Sequence, residues 1–303
     1  MKRTLLIAVC ALTLATGVTP ALAGAEKNDL AHAPEAENLQ IETYRNTSVG
    51  GTLKAVDPEG EAVTFTLSTE PMKGTVELNA DGTFVYTPNE NKKGKDYFGY
   101  KATDTEGNTS QEATVIIRIK KQKTAVTYDD MNGRAEGRDA VLLAEDGVFV
   151  GQCVAGHWLF DPERAVDRDE FLAMCLAAQG EPTLQGVMTT GFGDDEAIEV
   201  WAKSYVSTAR MHGAVTGYSD GKRMVFDAGR PITHAEAAVV LNRMLQPEEV
   251  SFTTSEAVPA WAEQAVANLT DCGLFAADLR SGEPLTRAEC AGMLARVMEQ
   301  TSA

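Results

Sequence analysis

The sequence contains no Cys-x-x-Cys pair, only four histidines, and few basic residues in its second half. Each shortage removes a class of function. Without paired cysteines a closed tetrahedral zinc site lacks its ligands, and neither a metal nor a cofactor is expected. His32, His157, His212 and His234 fall in no nucleophile, zincin or deaminase motif. The acidic residues are many and evenly scattered, so no two stand out as a catalytic carboxylate pair. The chain therefore reads as non-catalytic. After the first two dozen residues, no apolar run approaches the roughly 20 residues that a membrane-spanning helix requires. Residues 124–303 hold 13 Lys and Arg against 28 Asp and Glu, which is −15 of the chain's −17; residues 36–123, with 11 against 13, are near balance. Nucleic acids and anionic lipid surfaces are held by clustered cations, so neither is an expected partner. An anionic partner would have to be met by a local cationic pocket, against the overall field.

What is present begins with MKRTLLIAVCALTLATGVTPALAG. Lys2 and Arg3 precede a short apolar stretch from Leu5 to Leu14, and Ala21-Leu22-Ala23 offers a small-residue cleavage site. That pattern is a secretory signal peptide over 1–23, followed by a spacer over 24–37. A secreted chain of this length is expected to carry two or three folded units. Cys153, Cys175, Cys272 and Cys290 make an even count, which permits disulfides without establishing any. Cys175 and Cys290 lie in apolar helical runs and read as reduced core residues.

Over 38–120 the apolar residues alternate. Val63, Phe65 and Leu67 do so, as do Phe98, Tyr100 and Ala102, and Val115, Ile117 and Ile119. Short alternating strands punctuated by DPEG, ADG and DTEGN predict an antiparallel β-sandwich. The run AVDPEGEAVTFTL, with GTFVYTP and GKDYFGYKATDTEGN after it, resembles the bacterial cadherin-like, Ig-like domains of surface proteins. That resemblance implies a spacer or adhesion module able to meet other surface proteins. Asp57, Glu59, Asp104 and Glu106 are candidates for calcium or for Asx turns beside Gly60 and Gly107, and turns are the preferred reading. Residues 121–127, beginning at KKQK, are expected to be a solvated link.

From residue 128 onward the sequence repeats itself. VDRDEF at 166–171, ITHAEA at 232–237 and LTRAEC at 285–290 each place a capping residue three positions before a glutamate. Gly147, Gly213 and Gly273 precede these motifs, and Trp201 and Trp261 each stand 12 positions before their glycine. Each copy thus predicts a helix ending at a glycine cap, a loop, and a second helix started by a capping box. Trp201, Tyr205, Thr208 and Met211 read as the apolar stripe of one first helix. These segments, with GAVTGYSDG best preserved in the middle copy, resemble S-layer homology (SLH) domains. The expected fold class is a multidomain chain: an all-β Ig/cadherin-like sandwich, then an all-α module of three SLH repeats at about 128–180, 192–246 and 254–300. The resemblance implies non-covalent anchoring to an anionic secondary cell-wall polysaccharide, with pyruvylation one way of carrying its charge. It also implies a location in the cell wall or S-layer of a Gram-positive surface.

The residues themselves lead to the same kind of site. A helix macrodipole disfavours a cation at the first helical position, yet Arg168 and Arg287 both stand there. Open amides beside a guanidinium fork would suit a carboxylate or phosphate. His234 replaces that fork in the middle copy and predicts a weaker groove. Tyr218, Trp201 and Trp261 offer flat faces for sugar rings, with core packing the competing role for Trp201. Asp220 either bonds a sugar hydroxyl or caps its turn. The alternative function is a structural or protein-interaction role in which degenerate repeats no longer hold polymer.

Overall fold

The computed structural model describes residues 32–252, 257–275 and 280–302; the signal-peptide segment 1–23 lies outside them. Nine strands come first: Glu35–Ala36 (β1), Leu39–Tyr44 (β2), Val49–Thr52 (β3), Ala55–Val56 (β4), Thr64–Thr69 (β5), Gly74–Leu78 (β6), Thr83–Pro88 (β7), Gly94–Thr103 (β8) and Ala113–Lys120 (β9). One sheet has the order β2-β9-β8-β5 and the other β3-β7-β6, with β1 and β4 paired apart. Alternation places Phe84, Tyr86, Phe98, Tyr100, Val115 and Ile117 between the sheets, all buried. Phe84 meets Phe98 edge-on at 5.2 Å. The sandwich is present as expected, with one correction. β2 runs parallel to β9, Leu39 beside Val115 through Tyr44 beside Lys120. No hairpin joins these two strands, so the long connection between them allows parallel pairing.

Asp96 holds one end of the sandwich together. It is buried and accepts from Tyr86 Oη at 2.8 Å, Met72 N at 3.1 Å and Lys73 N at 2.8 Å. Asp57 and Asp104 form turns: Asp57 Oδ1 accepts from the amides of Glu59 and Glu61, and Asp104 Oδ1 from those of Glu106 and Asn108.

The second half contains helices Gly137–Glu145 (α1), Arg168–Ala178 (α2), Val200–Met211 (α3), His234–Leu245 (α4), Glu263–Asp271 (α5) and Arg287–Ser302 (α6). It is not all-α. Gln152–Val154 (β10) pairs with His157–Leu159 (β11), and Tyr218–Ser219 (β12) with Met224–Val225 (β13). These loops are long enough to need their own backbone pairing, and hairpins supply it. Gly147, Gly213 and Gly273 stand at φ +71°, +73° and +70°. After each, the next amide reaches back to Leu143, Ala209 or Leu269 at 2.8–2.9 Å, closing the helix with the same glycine cap three times.

Each helix packs mainly on a helix of a neighbouring repeat and less on its own repeat partner. α2 packs on α3, α4 on α5, and α6 returns to α1, closing a ring of three lobes: first (α1, α2), middle (α3, α4) and last (α5, α6). One continuous apolar core runs through all three. The buried face of α3 is Ala202, Val206, Thr208 and Ala209; of the stripe read in the sequence Thr208 is buried, whereas Trp201 and Met211 face outward. Small side chains on that face let α2 approach closely.

The two halves meet backbone to backbone. Gly50 N donates to Ala135 O at 2.8 Å, and Gly133 N donates to Ser48 Oγ at 2.9 Å. A Cβ on Gly50 would lie 2.6 Å from the Ala135 Cβ, and one on Gly137 2.9 Å from Ser48 O. The link is pinned rather than free, because the amides of Lys123 and Thr124 donate to the Glu145 carboxylate at 2.9 and 2.6 Å.

Replacing Asp96 with Ala would strand two part-buried amides and the buried Tyr86 phenol. Urea unfolding should show the sandwich transition destabilised by about 3 kcal/mol or more, with the helical far-UV signal retained.

A ring of helix starts as the candidate functional site

The second helices of the three lobes begin at one axis. Val166 N donates to Leu285 O at 2.9 Å, Leu285 N to Ile232 O at 2.8 Å, and Ile232 N to Val166 O at 2.9 Å. The next amides also bond across lobes: Arg168 N to Arg230 O, His234 N to Glu283 O and Arg287 N to Arg164 O, at 2.9–3.1 Å. Asp169 N, Ala235 N and Ala288 N do the same with Ala228 O, Ser281 O and Pro162 O at 3.0–3.3 Å. The amides read from sequence as open to an anion are therefore occupied. Their partners are neighbouring loops.

Each capping glutamate has two tasks. One oxygen accepts from its own cap: Glu170 from Asp167 N at 3.5 Å, Glu236 from Thr233 N at 3.1 Å, Glu289 from Thr286 N at 2.9 Å. The other faces a side chain of the preceding lobe in the cycle. Arg168 Nη1 lies 3.4 Å from Glu236 Oε1, His234 Nε2 3.5 Å from Glu289 Oε1, and Arg287 Nη2 3.5 Å from Glu170 Oε1. The three lobes are cross-linked in one direction round the ring.

These first-turn side chains are largely enclosed: Arg168 is 8% exposed, His234 7% and Arg287 4%. Arg168 Nε donates to Phe226 O at 3.0 Å, and its guanidinium lies 5.1 Å from the Phe226 ring centroid. Arg287 Nη1 donates to Phe160 O at 3.3 Å over the Phe149 ring at 4.8 Å, while its Nε is buried without a hydrogen-bond partner. Burial lowers the Arg168 proton affinity, and Glu236 partly restores it. Burial likewise opposes charge on Glu236, but Arg230, the Thr233 amide and Arg168 bring its carboxyl below the ordinary range.

The remaining candidates lie nearer the surface. Tyr218 is 42% exposed and donates to Asp227 Oδ2 at 2.7 Å. Trp201 and Trp261 are 45% and 61% exposed, and Trp201 Nε1 donates to Glu199 Oε2 at 3.0 Å. Asp220 caps its turn, accepting from Lys222 N and Arg223 N at 2.8 and 2.9 Å. Cys153, Cys175, Cys272 and Cys290 are unpaired, with Cys175 and Cys290 in the core. No described helix is long and apolar enough to cross a membrane.

Against known proteins, residues 28–121 match the bacterial cadherin-like domain and residues 191–238 match the S-layer homology domain. One match falls on the sandwich and the other within the helical half. A similar stretch occurs in a surface-layer 125 kDa protein of Lysinibacillus sphaericus, 27% identical over 125 residues. That stretch is 40% of this chain, which spans about 10% of the length of that relative. Among solved structures, an α-galactosidase from Bacteroides fragilis aligns at TM-score 0.24 and 18% identity over 29% of this chain and 17% of its own. The SrpA adhesin from Streptococcus sanguinis aligns at 0.23 and 17%, over 32% and 63%. Likenesses of that size carry no functional argument.

The S-layer homology match covers α3, the following loop and the start of α4. The helical half shows two features missed in the sequence. First, Asp194 accepts from the amides of Phe226 and Asp227 at 2.9 and 2.7 Å, and Asp130 does the same for Phe160 and Asp161. These clamps fix the loops whose carbonyls receive Arg168 and Arg287. Tyr128-Asp129-Asp130 and Phe192-Gly193-Asp194, 64 positions apart, were the available signal. Second, in the last lobe Arg280 occupies the register of Asp161 and Asp227, and Glu283 that of Arg164 and Arg230. The charge order there is reversed.

Asp169, which is alanine at the equivalent positions 235 and 288, is buried beside Arg168. Burial, with Asp167 and Glu170 adding repulsion, pushes its carboxyl from 3.8 to about 6. The folded state thus holds this proton more tightly than the unfolded chain does. The resulting stabilisation is full below about pH 4 and is lost as pH rises through 6. Asp169→Asn should therefore melt above the parent at about pH 7.5, with the difference closing towards pH 4.

Proposed function

We propose that the helical ring is a module of three SLH repeats that holds the protein non-covalently to an anionic secondary cell-wall polysaccharide, and that the sandwich is a spacer or adhesion domain displayed by it. The observation that carries this reading is the S-layer homology match on the middle lobe, set within a ring whose other two lobes repeat its caps and cross-links. The surface-layer name of the relative from Lysinibacillus sphaericus supports a cell-surface setting. In this reading Arg168 and Arg287 supply the cationic floors, His234 a weaker one, and Tyr218, Trp201 and Trp261 the faces on which sugar rings stack. Asp220 shapes the loop that carries Tyr218. The protein acts without catalysis, outside the cell and at the wall.

A second reading rests on a specific observation. Arg168 and Arg287 already pair with Glu236 and Glu170 and are mostly enclosed, as expected of residues that only join lobes. The ring would then be a structural or protein-interaction element. Retention on purified Gram-positive walls separates the two. The anchor reading expects sedimentation with native walls and loss of it after acid stripping of the secondary polymer. Arg168→Gln with Arg287→Gln should reduce retention by about tenfold or more while the helical far-UV signal persists. His234→Arg should tighten it. Binding that survives stripping, or a double variant retained like the parent, would leave these residues as lobe connectors.

A further inference from the structure

The sandwich carries its charge in two separate ends. Strands β2, β5, β7 and β9 finish, and β3, β6 and β8 begin, at the end that meets the helical half. Residues 42–48, 70–75, 87–97 and 117–123 form that end. They hold nine of the eleven Lys and Arg of residues 36–123 but only four of the thirteen Asp and Glu. The net charge is +5 there and −7 over the remainder, which the overall near-balance conceals. Among the described residues, only Arg118 and Lys120 of those nine cations are ion-paired, both with Glu42. Lys73 Nζ donates to Lys93 O and Lys95 O at 3.2 and 2.8 Å, which draws the loop after β7 towards the sheet.

We propose that the outer face of this end binds a chain of anionic polysaccharide, at a site on the sandwich separate from the helical ring. Lys95 on β8 stands directly opposite Arg118 on β9, and Arg118 in turn lies beside Glu42 on β2. All three point away from the core, since Asp96, Ile117 and Thr43 next to them are buried. Like charges directly opposite each other destabilise a sheet, so the Lys95–Arg118 pair breaks a local rule as functional residues do. Continuing that register places Lys93 opposite Lys120. One pleat further along the same face, Tyr97, Ile116 and Gln40 form a second row. Tyr97 is 48% exposed and offers a ring face to a sugar. Each row crosses three strands and so spans about 10 Å, room for one polymer strand. The cations meet the acid groups, while Glu42 and Gln40 accept from hydroxyls. That mixture fits a glycan whose charges are separated by hydroxyl-bearing rings. A nucleic acid, with a phosphate at every residue, would meet Glu42 at the centre of the patch. The patch lies at the waist of the molecule, at the end that contacts Ala135 through Gly50. A flat anionic bilayer reaching it would bring the helical half, at −15, against its own negative surface, whereas a single chain would not.

The test is a binding titration of the full chain with polygalacturonate at low ionic strength. Dextran serves as the uncharged polymer, oligothymidylate as the nucleic acid and phosphatidylglycerol vesicles as the bilayer. Polygalacturonate should bind in preference to all three, and less tightly as salt rises. Lys93→Gln with Lys95→Gln, both at exposed positions, should lose about tenfold or more of that affinity. The slope of log affinity against log salt should fall by about two, one for each cation removed. Lys54→Gln with Lys101→Gln, away from this end, should bind like the parent. Absence of polygalacturonate binding, equal or tighter binding of dextran, oligothymidylate or vesicles, or parental affinity in the Lys93→Gln, Lys95→Gln variant would each overturn the proposal. If affinity is lost in the Arg168→Gln, Arg287→Gln variant and kept in the lysine variant, the polymer is held by the ring and the proposal fails. If wall retention fails while polygalacturonate binding and its loss in the lysine variant persist, the anchoring reading fails and the site on the sandwich stands.

Discussion

Three backbone hydrogen bonds, running from Val166 to Leu285 to Ile232 and back to Val166, close a triangle on which the helical half depends. Once that triangle is set, the residues that follow have little freedom. The first two amides of each second helix must find partners away from water, and the loop of a neighbouring lobe lies within reach. The capping glutamate then sits where one oxygen serves its own helix and the other the adjoining lobe. The side chain before it, Arg168, His234 or Arg287, has no outlet except across the interface. Breaking one member of a buried Arg–Glu pair typically costs about 3–5 kcal/mol, because the partner remains buried and unpaired. Specific local chemistry thus becomes a lock on the whole ring.

The closed ring also explains why each helix packs on a neighbouring repeat. α1 covers α6, and the sandwich in turn rests on the segment that leads into α1. Gly50 and Gly137 permit contacts that any side chain would prevent. With Glu145 holding the link, the sandwich leaves the ring at a set angle.

Much of this was legible in the sequence, and for identifiable reasons. Strong alternation gave strands β5 to β9, because one face of each is buried. Three glycines at matched spacing and three capping boxes gave the helix ends, because both devices are local. The parallel partnership of β2 with β9 was not legible, since it depends on two segments about 75 residues apart. The triangle was hidden for the same reason: its partners are backbone atoms, which carry no residue signature. Reading open amides at the helix starts was a consequence of treating each helix alone. Trp201 misled in another way. Its place on the periodic apolar stripe suggested burial, whereas the inner face is formed by Ala202, Val206, Thr208 and Ala209 and Trp201 is 45% exposed.

The last lobe shows how a repeat can change its letters and keep its function in the fold. In the first and middle lobes, Arg164 and Arg230 reach the capping glutamate from three residues before the cap. The last lobe has Glu283 at that register, which by itself would leave Glu289 without a cation from its own lobe. Arg280, three positions earlier where the sisters have aspartate, reaches Glu289 instead. Two substitutions that would each be unfavourable alone preserve the ion pair when made together. A lobe drifting without constraint would have no reason to retain that compensation. The side effect is a guanidinium placed further out, at the mouth of the one groove that has lost its first-turn arginine.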